Sequence, residues 1–347
     1  MSTGRTIGRA GTGAGTGPMR FSIDGWDPGY GSTFDLDEEL AATAVDVRLE
    51  VELPVPDWRP VEPRAAPDLP GRVLFVDGVR RIEARAWIDD PPNLLGGAAS
   101  AGSAGSASEA VCASYAAGVV CCAGDRAHLQ HSVARRGLFT VAADAESIRT
   151  AAGDYTVHIA ERRPQQPLAW ALSRALQNEL AGIELEVAAA VRADTTDADD
   201  LLVVDGPLSG RTALPRAIGY IKSHHSAYLP PELHAQVGRL RAGERTPVFR
   251  IGDGWPRYSW YLRLPGAPGA PWAGVVRVEC SPDLPVTRVV ELAGLTQAVL
   301  PRFASAEYKD TRAPQNLYPI AGLERELRRR LGDQRLLYRA LRVAAMA

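Results

Sequence analysis

Two aspartates stand in matching contexts along this 347-residue chain. Asp77 closes the run Val73-Leu74-Phe75-Val76 and precedes Gly78; Asp205 closes Leu201-Leu202-Val203-Val204 and precedes Gly206-Pro207-Leu208. A short apolar run rich in β-branched residues reads as a buried strand, and a following glycine permits a sharp exit of the backbone. Each context therefore delivers a carboxylate to the edge of a sheet. Two such carboxylates on neighbouring strands can hold Mg²⁺ or Mn²⁺, hard cations that prefer oxygen ligands. The chemistry implied is metal-dependent work on phosphates. Taken singly, each aspartate is more simply an ordinary Asp-Gly turn; the pairing is what draws attention.

A third carboxylate has candidates on the longest helical pattern, Leu168 to Val191. There Leu172, Leu176, Leu180, Ile183, Val187 and Val191 recur at three- and four-residue steps and form one buried stripe. Glu184 and Glu179 lie about 70° to either side of the stripe centre, and Glu186 lies near 90°, closer to solvent. A glutamate at the edge of the buried face could complete a site with Asp77 and Asp205. Helix geometry does not choose between Glu179 and Glu184, and a solvated helix flank is the plainer role for any of them.

Further polar candidates follow. Lys222 comes directly after the apolar run Ala217 to Ile221, where its ammonium could offset charge on a phosphate. Arg263 lies in a strand-like context, as does Arg277, which shares a sheet face with Glu279 two residues on. An Arg277–Glu279 pair would be structural, whereas a free arginine would suit bidentate phosphate contact. Asp310, Arg312 and Asn316 fall in an irregular segment where they could bind phosphate or metal-bound water, or shape the loop before the last helix.

The elements that must position these residues read as strands, a long helix, a strand, then mixed elements, which favours an α/β sheet with helices on its faces. Val45 to Leu53 alternates as a half-buried strand. Val73 to Val76 is a strand with Arg80 to Ile88 as its hairpin partner; Val111 to Cys122 reads as small-residue strand material, and Leu138 to Ala142 is another short apolar run. Trp260 to Leu264 and Val275 to Val278 form a late hairpin, and Glu324 to Arg342 a basic amphipathic closing helix. The expected organisation is a disordered tail over 1–18, an N-terminal extension over 19–70 and one catalytic-type domain over 71–347. Within that domain, 96–108 contains only Gly, Ala and Ser and reads as a flexible surface loop.

Composition narrows the class without naming a reaction. Hydrophobic residues are 46% and charged residues 23%, which is globular, and the net charge of −2 carries no global signature for nucleic acid, though a local basic groove is compatible with it. The four cysteines include no C-x-x-C pair and read as small buried residues of a reducing compartment. No apolar stretch approaches the roughly 20 residues of a membrane span, and the N-terminus lacks a signal-peptide core, so the cytoplasm is the expected location. There is no P-loop, no nucleophile elbow and no zinc pattern, and the glycine-rich run 11–17 follows no strand.

Taken in order, Phe75-Val76-Asp77-Gly78, Gly182-Ile183-Glu184-Leu185-Glu186, Val203-Val204-Asp205-Gly206-Pro207-Leu208 and Gly219-Tyr220-Ile221-Lys222 resemble the NurA family of nucleases. Tyr261-Leu262-Arg263-Leu264, Val276-Arg277-Val278-Glu279 and Asn316-Leu317-Tyr318-Pro319 extend the resemblance over roughly residues 70–335. It implies an RNase H-like mixed sheet flanked by helices, with an N-terminal extension, and a Mn²⁺- (or Mg²⁺-) dependent DNA nuclease. It also implies a homodimer that works with a HerA-like hexameric ATPase in end resection during double-strand break repair; no membrane association is expected, from the lack of a long apolar stretch. Asp77, Glu184 and Asp205 match the family's metal ligands, and Lys222 matches the lysine after the second aspartate; Arg263, Arg277, Arg312 and Asn316 are the expected substrate contacts. Two departures stand out: Val79 replaces the usual serine after Asp-Gly, and Ile320-Ala321-Gly322-Leu323-Glu324 carries no histidine where members have one. These motivate a rival reading, a NurA-like scaffold that docks on a DNA-translocating ATPase without cutting. A metal hydrolase acting on small phosphates is a third.

Overall fold

The computed structural model describes residues 46–63, 69–89, 107–193, 199–210, 214, 216–224, 227–252, 254–266, 269, 271–306 and 308–346. The tail at 1–18 and residues 96–106 of the Gly/Ala/Ser segment lie outside them; Ala107 and Ser108 belong to a strand.

The centre is an antiparallel meander of three long strands, β2 (Arg72–Asp89), β3 (Ala107–Ala123) and β4 (Arg126–Thr140). Helix α1 (Leu168–Ala193) follows, then β6 (Asp200–Asp205) and β7 (Ala217–Ile221), parallel to β2 and to each other, and after them the short helix α2 (Pro231–Val237). The resulting order β4-β3-β2-β6-β7 is the RNase H-like arrangement. The sheet continues through β10 (Val275–Cys280), β9 (Arg257–Arg263), β8 (Phe249–Ile251) and the short β1 (Val47–Arg48), while β5 (Thr156–Ile159) pairs with β4 at the other edge, giving ten strands among the described residues. The expected late hairpin is the β9–β10 pair.

The two-residue side-chain period of a strand sorts this sheet into two faces. Leu74, Val76, Leu202 and Val204 pack beneath the α1 stripe of Leu172, Leu176, Leu180, Ile183 and Val187. Val73, Phe75, Leu201 and Val203 point the opposite way, toward α3 (Val286–Val299) and the start of α4 (Tyr318–Arg330). Helix α4 then crosses the meander, seating Leu323, Leu327 and Leu331 against Val79, Ala116 and Val120. The odd-numbered positions of β6, and of β2 as far as its bulge after Ile82, which include Asp77 and Asp205, therefore lie on the face covered by α3 and α4 and not on that of α1.

Three sequence expectations need correction. Asp77-Gly78 is not a turn, and Arg80–Ile88 is not a hairpin partner of Val73–Val76. Both belong to the single strand β2, because β3 pairs continuously across that point, Gly78 opposite Ala117. Of the expected strand Val45–Leu53, the described residues 46–53 are strand only at Val47–Arg48; beyond it the Glu52 carboxylate is held by Arg245 and the Val248 amide, which draws the chain off the sheet. The closing helix is two helices. Helix α4 starts at Tyr318, and the left-handed Gly332 (φ 86°) ends it; Asp333 then caps α5 (Gln334–Ala344) by accepting from the Arg335 and Leu336 amides.

Close backbone approach fixes the turn after Asp205. A Cβ at Gly219 would lie 2.8 Å from the Gly206 carbonyl oxygen and 2.8 Å from Glu279 Cγ. Gly219→Ala should destabilise the protein by about 1–3 kcal/mol, the usual range for overpacking, read as a lower urea midpoint. An unchanged midpoint would mean that the Gly206 turn yields freely.

Candidate metal centre

Val76 and Val204 are the last register partners of the parallel β2–β6 ladder, so Asp77 and Asp205 stand side by side one residue further on, on the face toward α4. Strand β6 ends there, as its sequence suggests, with Gly206 at φ 108°. Glu324, one residue after the core residue Leu323, descends from α4 onto the same spot. One carboxylate oxygen from each of Asp77, Asp205 and Glu324 lies within 4.8 Å of the others.

The electrostatics of this group are those of like charges crowded out of water. Asp77 Oδ1 accepts the Gly78 amide at 2.7 Å, while Oδ2 is buried with no hydrogen-bond partner among the described residues. Burial pushes the Asp77 carboxyl well above the usual carboxylate range; Asp205, Glu324 and Glu184 push the same way, and Lys222 opposes them. Burial alone would lower Lys222, but Asp205 and Asp77 outweigh it and hold the ammonium above its ordinary value. Its Nζ lies 2.6 Å from Asp205 Oδ2 and 3.2 Å from Asn316 Oδ1. A partnerless buried carboxylate oxygen beside two more carboxylates is the donor set that suits a hard divalent cation.

Around the carboxylates the segment 310–316 acts as a brace. Arg312 grips Glu324 with both terminal nitrogens, at 3.2 and 2.9 Å. Asp310 accepts the Arg312 amide at 2.8 Å and the Asn316 side-chain amide at 2.6 Å. Asp310 thus joins two arms, one running through Arg312 to Glu324 and the other through Asn316 and Lys222 to Asp205. Tyr220, buried in β7, donates to the Gln315 carbonyl at 2.6 Å and ties the segment to the sheet.

The other expected residues fall as follows. Glu184 is buried on α1, across the sheet from the three-carboxylate group: a Cβ at Gly78 would collide with its Oε1 and with Leu180. Its charge bears on Asp77 from that side, whereas Glu179 pairs with His158 at 3.3 Å and Glu186 with Arg135 at 2.7 Å. Arg263 is not brought to the carboxylates; its guanidinium donates to the carbonyls of Gly238, Pro271 and Ala273. Arg277 is not brought there either. It pairs with the fully buried Glu279 at 2.7 Å, beside Arg257, and the same Glu279 accepts the Leu208 amide at 2.8 Å. Glu324 is the residue that sequence reasoning passed over. The available signal was parity: Asp77 and Asp205 alternate out of phase with Leu74, Val76, Leu202 and Val204, so a third acid had to come from a helix on the other face.

The sequence matches no protein-family model and no curated protein. Among solved structures, the NurA nuclease from Sulfolobus solfataricus is similar at 9% identity with a TM-score of 0.43, covering 79% of this chain and 84% of that one. Human ENDOV is similar at 16% identity with a TM-score of 0.35, covering 76% and 84% respectively. At these scores neither likeness carries functional weight.

The crowded carboxylates should leave a mark on stability. In chelator, wild type should lose stability relative to Asp77→Asn as pH rises from the unfolded carboxylate value of 3.8 toward the raised folded value, with the deficit constant above it. The reason is that the folded state retains the Asp77 proton longer than the unfolded chain; parallel melts across pH in both proteins would refute this. Asp310→Asn should weaken divalent-ion binding by roughly 10- to 100-fold, the usual effect of removing an outer-shell partner, measured by thermal-shift titration.

Proposed function

We propose that this chain is a divalent-metal-dependent nuclease that hydrolyses phosphodiester bonds in DNA. The observation that carries the reading is the convergence of Asp77, Asp205 and Glu324 around a buried, partnerless carboxylate oxygen, with Lys222 at its edge. Asp77, Asp205 and Glu324 would hold Mn²⁺ or Mg²⁺, and Glu184 would add negative charge from beneath the sheet. An ion held there supplies Lewis-acid chemistry to a phosphodiester, through activation of water and stabilisation of the leaving oxygen.

The protein's own groups divide the remaining work. Lys222 neutralises Asp205 and can shift its ammonium toward a scissile phosphate, offsetting charge that grows during attack. Arg312 and Asn316 act on the ligands, holding Glu324 and Lys222 in place. Val79, where a serine is usual in the resembled family, is buried against Leu323 and Leu327 and supports the helix that carries Glu324. The missing histidine has its counterpart in Glu324, which lies in the stretch where the histidine was expected and supplies an oxygen donor.

The motif order that resembles NurA extends this reading to a homodimer working with a HerA-like hexameric translocase in DNA end resection. No helix among the described residues is long and apolar enough to cross a membrane.

The test is Mn²⁺-dependent degradation of labelled single- and double-stranded DNA by wild type, Asp205→Asn and Glu324→Gln, alongside a small phosphate ester. Wild type should degrade DNA in preference to the ester, and both variants should lose cleavage together with the Mn²⁺-induced rise in melting temperature. Cleavage retained in both variants would overturn the assignment. Absence of both cleavage and thermal shift in wild type, with a HerA-like ATPase present, would favour the non-cutting scaffold.

A further inference from the structure

Helix α4 carries more than Glu324. Arg325, Arg328 and Arg329 are spaced i, i+3, i+4 and form one exposed row on it, with Arg328 four residues, or about 6 Å of rise, beyond Glu324. Glu326 pairs with Arg329 and Arg330, and no carboxylate among the described residues pairs with Arg325 or Arg328. The pattern continues on α5. Leu337 and Leu341 are its buried side; Arg335, Tyr338, Arg339 and Arg342 fall at i, i+3, i+4 and i+7 on the opposite, exposed side. From Tyr318 to Met346 the chain has seven arginines against three acids, in a protein whose net charge is −2.

The placement of the two helices gives this row a direction. Helix α4 covers Val79, Ala116 and Val120, next to Asp77, while Leu341 of α5 packs farther along the same meander, against Ala110, Cys112 and Leu138 with Ala84, Ala86 and Ile88 beside them. The arginines thus run from the carboxylate group outward along β2, over roughly 35 Å of strand between Asp77 and Ile88. A positive row interleaved with an exposed aromatic ring is what a single-stranded nucleic acid requires: cations for the phosphates and a π-face for a base.

We propose that the outer faces of α4 and α5 form a binding track for single-stranded DNA that leads its backbone to the metal centre, with Arg325, Arg328, Arg339 and Arg342 on phosphates and Tyr338 stacking a base. The track rests on the nuclease reading above for its destination, but not for its affinity. Arg-Glu pairing consumes Arg329 and Arg330 in part, which leaves the remaining row to meet the polyanion. The same surface accounts for how a chain of slightly negative net charge would attract DNA.

The test is binding of fluorescein-labelled oligodeoxythymidylate to full-length protein in chelator, followed by fluorescence polarisation over a salt series. Arg328→Gln/Arg339→Gln should weaken binding and flatten the slope of log affinity against log salt by roughly 1.4, about 0.7 for each single-strand phosphate that is no longer neutralised. Tyr338→Ala should weaken binding about ten-fold, as removal of one stacking platform does, with the slope retained. Both variants should keep the wild-type Mn²⁺-induced thermal shift, since neither touches the carboxylates. Wild-type affinity and slope in the double variant would overturn the track while leaving the nuclease reading intact. Salt-dependent binding that the variants weaken, in a wild type that never cleaves, would keep the track and remove the nuclease reading. No binding of the oligonucleotide by wild type would overturn the track.

Discussion

Like charges held close together out of water constrain the rest of this molecule. Asp77, Asp205 and Glu324 are brought within a few ångströms of one another in a site where burial already disfavours ionisation. Such an arrangement persists only when the surrounding scaffold over-determines it. Lys222 offsets part of the charge by pairing with Asp205, and Arg312 offsets more by gripping Glu324. What remains is concentrated on the Asp77 oxygen that none of the described residues satisfies. That residue of unmet electrostatics is the physical basis for reading the site as a cation site.

The scaffold holds these charges through parity and close approach. Parallel pairing of β2 with β6 puts two carboxylates side by side, and the two-residue period commits both to one face. The opposite face is filled by α1 and its leucine stripe, which leaves α4 as the helix that delivers the third acid. Glycines admit what a side chain would exclude: Gly78 accommodates Glu184 and Leu180 beneath Asp77, and Gly219 lets the turn after Asp205 close against Glu279. Buried Glu279, matched by Arg257 and Arg277, in turn anchors the Leu208 amide, so an ion-pair network on the far face steadies the strand end that carries Asp205.

The brace at 310–316 couples site geometry to the packing of α4. Asp310 is no member of the carboxylate group, yet its two oxygens hold the residues that orient Glu324 and Lys222. Helix α4 therefore serves three purposes in one short element: it covers the meander with Leu323 and Leu327, supplies Glu324 toward the sheet, and turns arginines to solvent. The three uses coexist because a helix presents separate faces at 100° steps.

Local pattern alone determined the long helix at Leu168–Val191, the strand that ends at Asp205, the late β9–β10 hairpin and Lys222 at a strand end, because hydrophobic period and turn residues are properties of neighbouring positions. The pairing of Asp77 with Asp205 was also legible, through the matched runs that precede them. Only the tertiary structure decided that Asp77 sits mid-strand, since cross-strand pairing with β3 overrides an Asp-Gly turn signal. It also decided the third member of the carboxylate group. Helical spacing can say that Glu184 and Glu324 each border a buried stripe, but not which face of the sheet that stripe covers. Arg277 pairs with Glu279 two residues on along β10, a partner that the two-residue period had already offered. Arg263 meets the limit: a strand pattern places its side chain on a face, while the Gly238, Pro271 and Ala273 carbonyls that occupy it lie outside its strand. Such pairings are set by the long-range packing of layers, which no local period encodes.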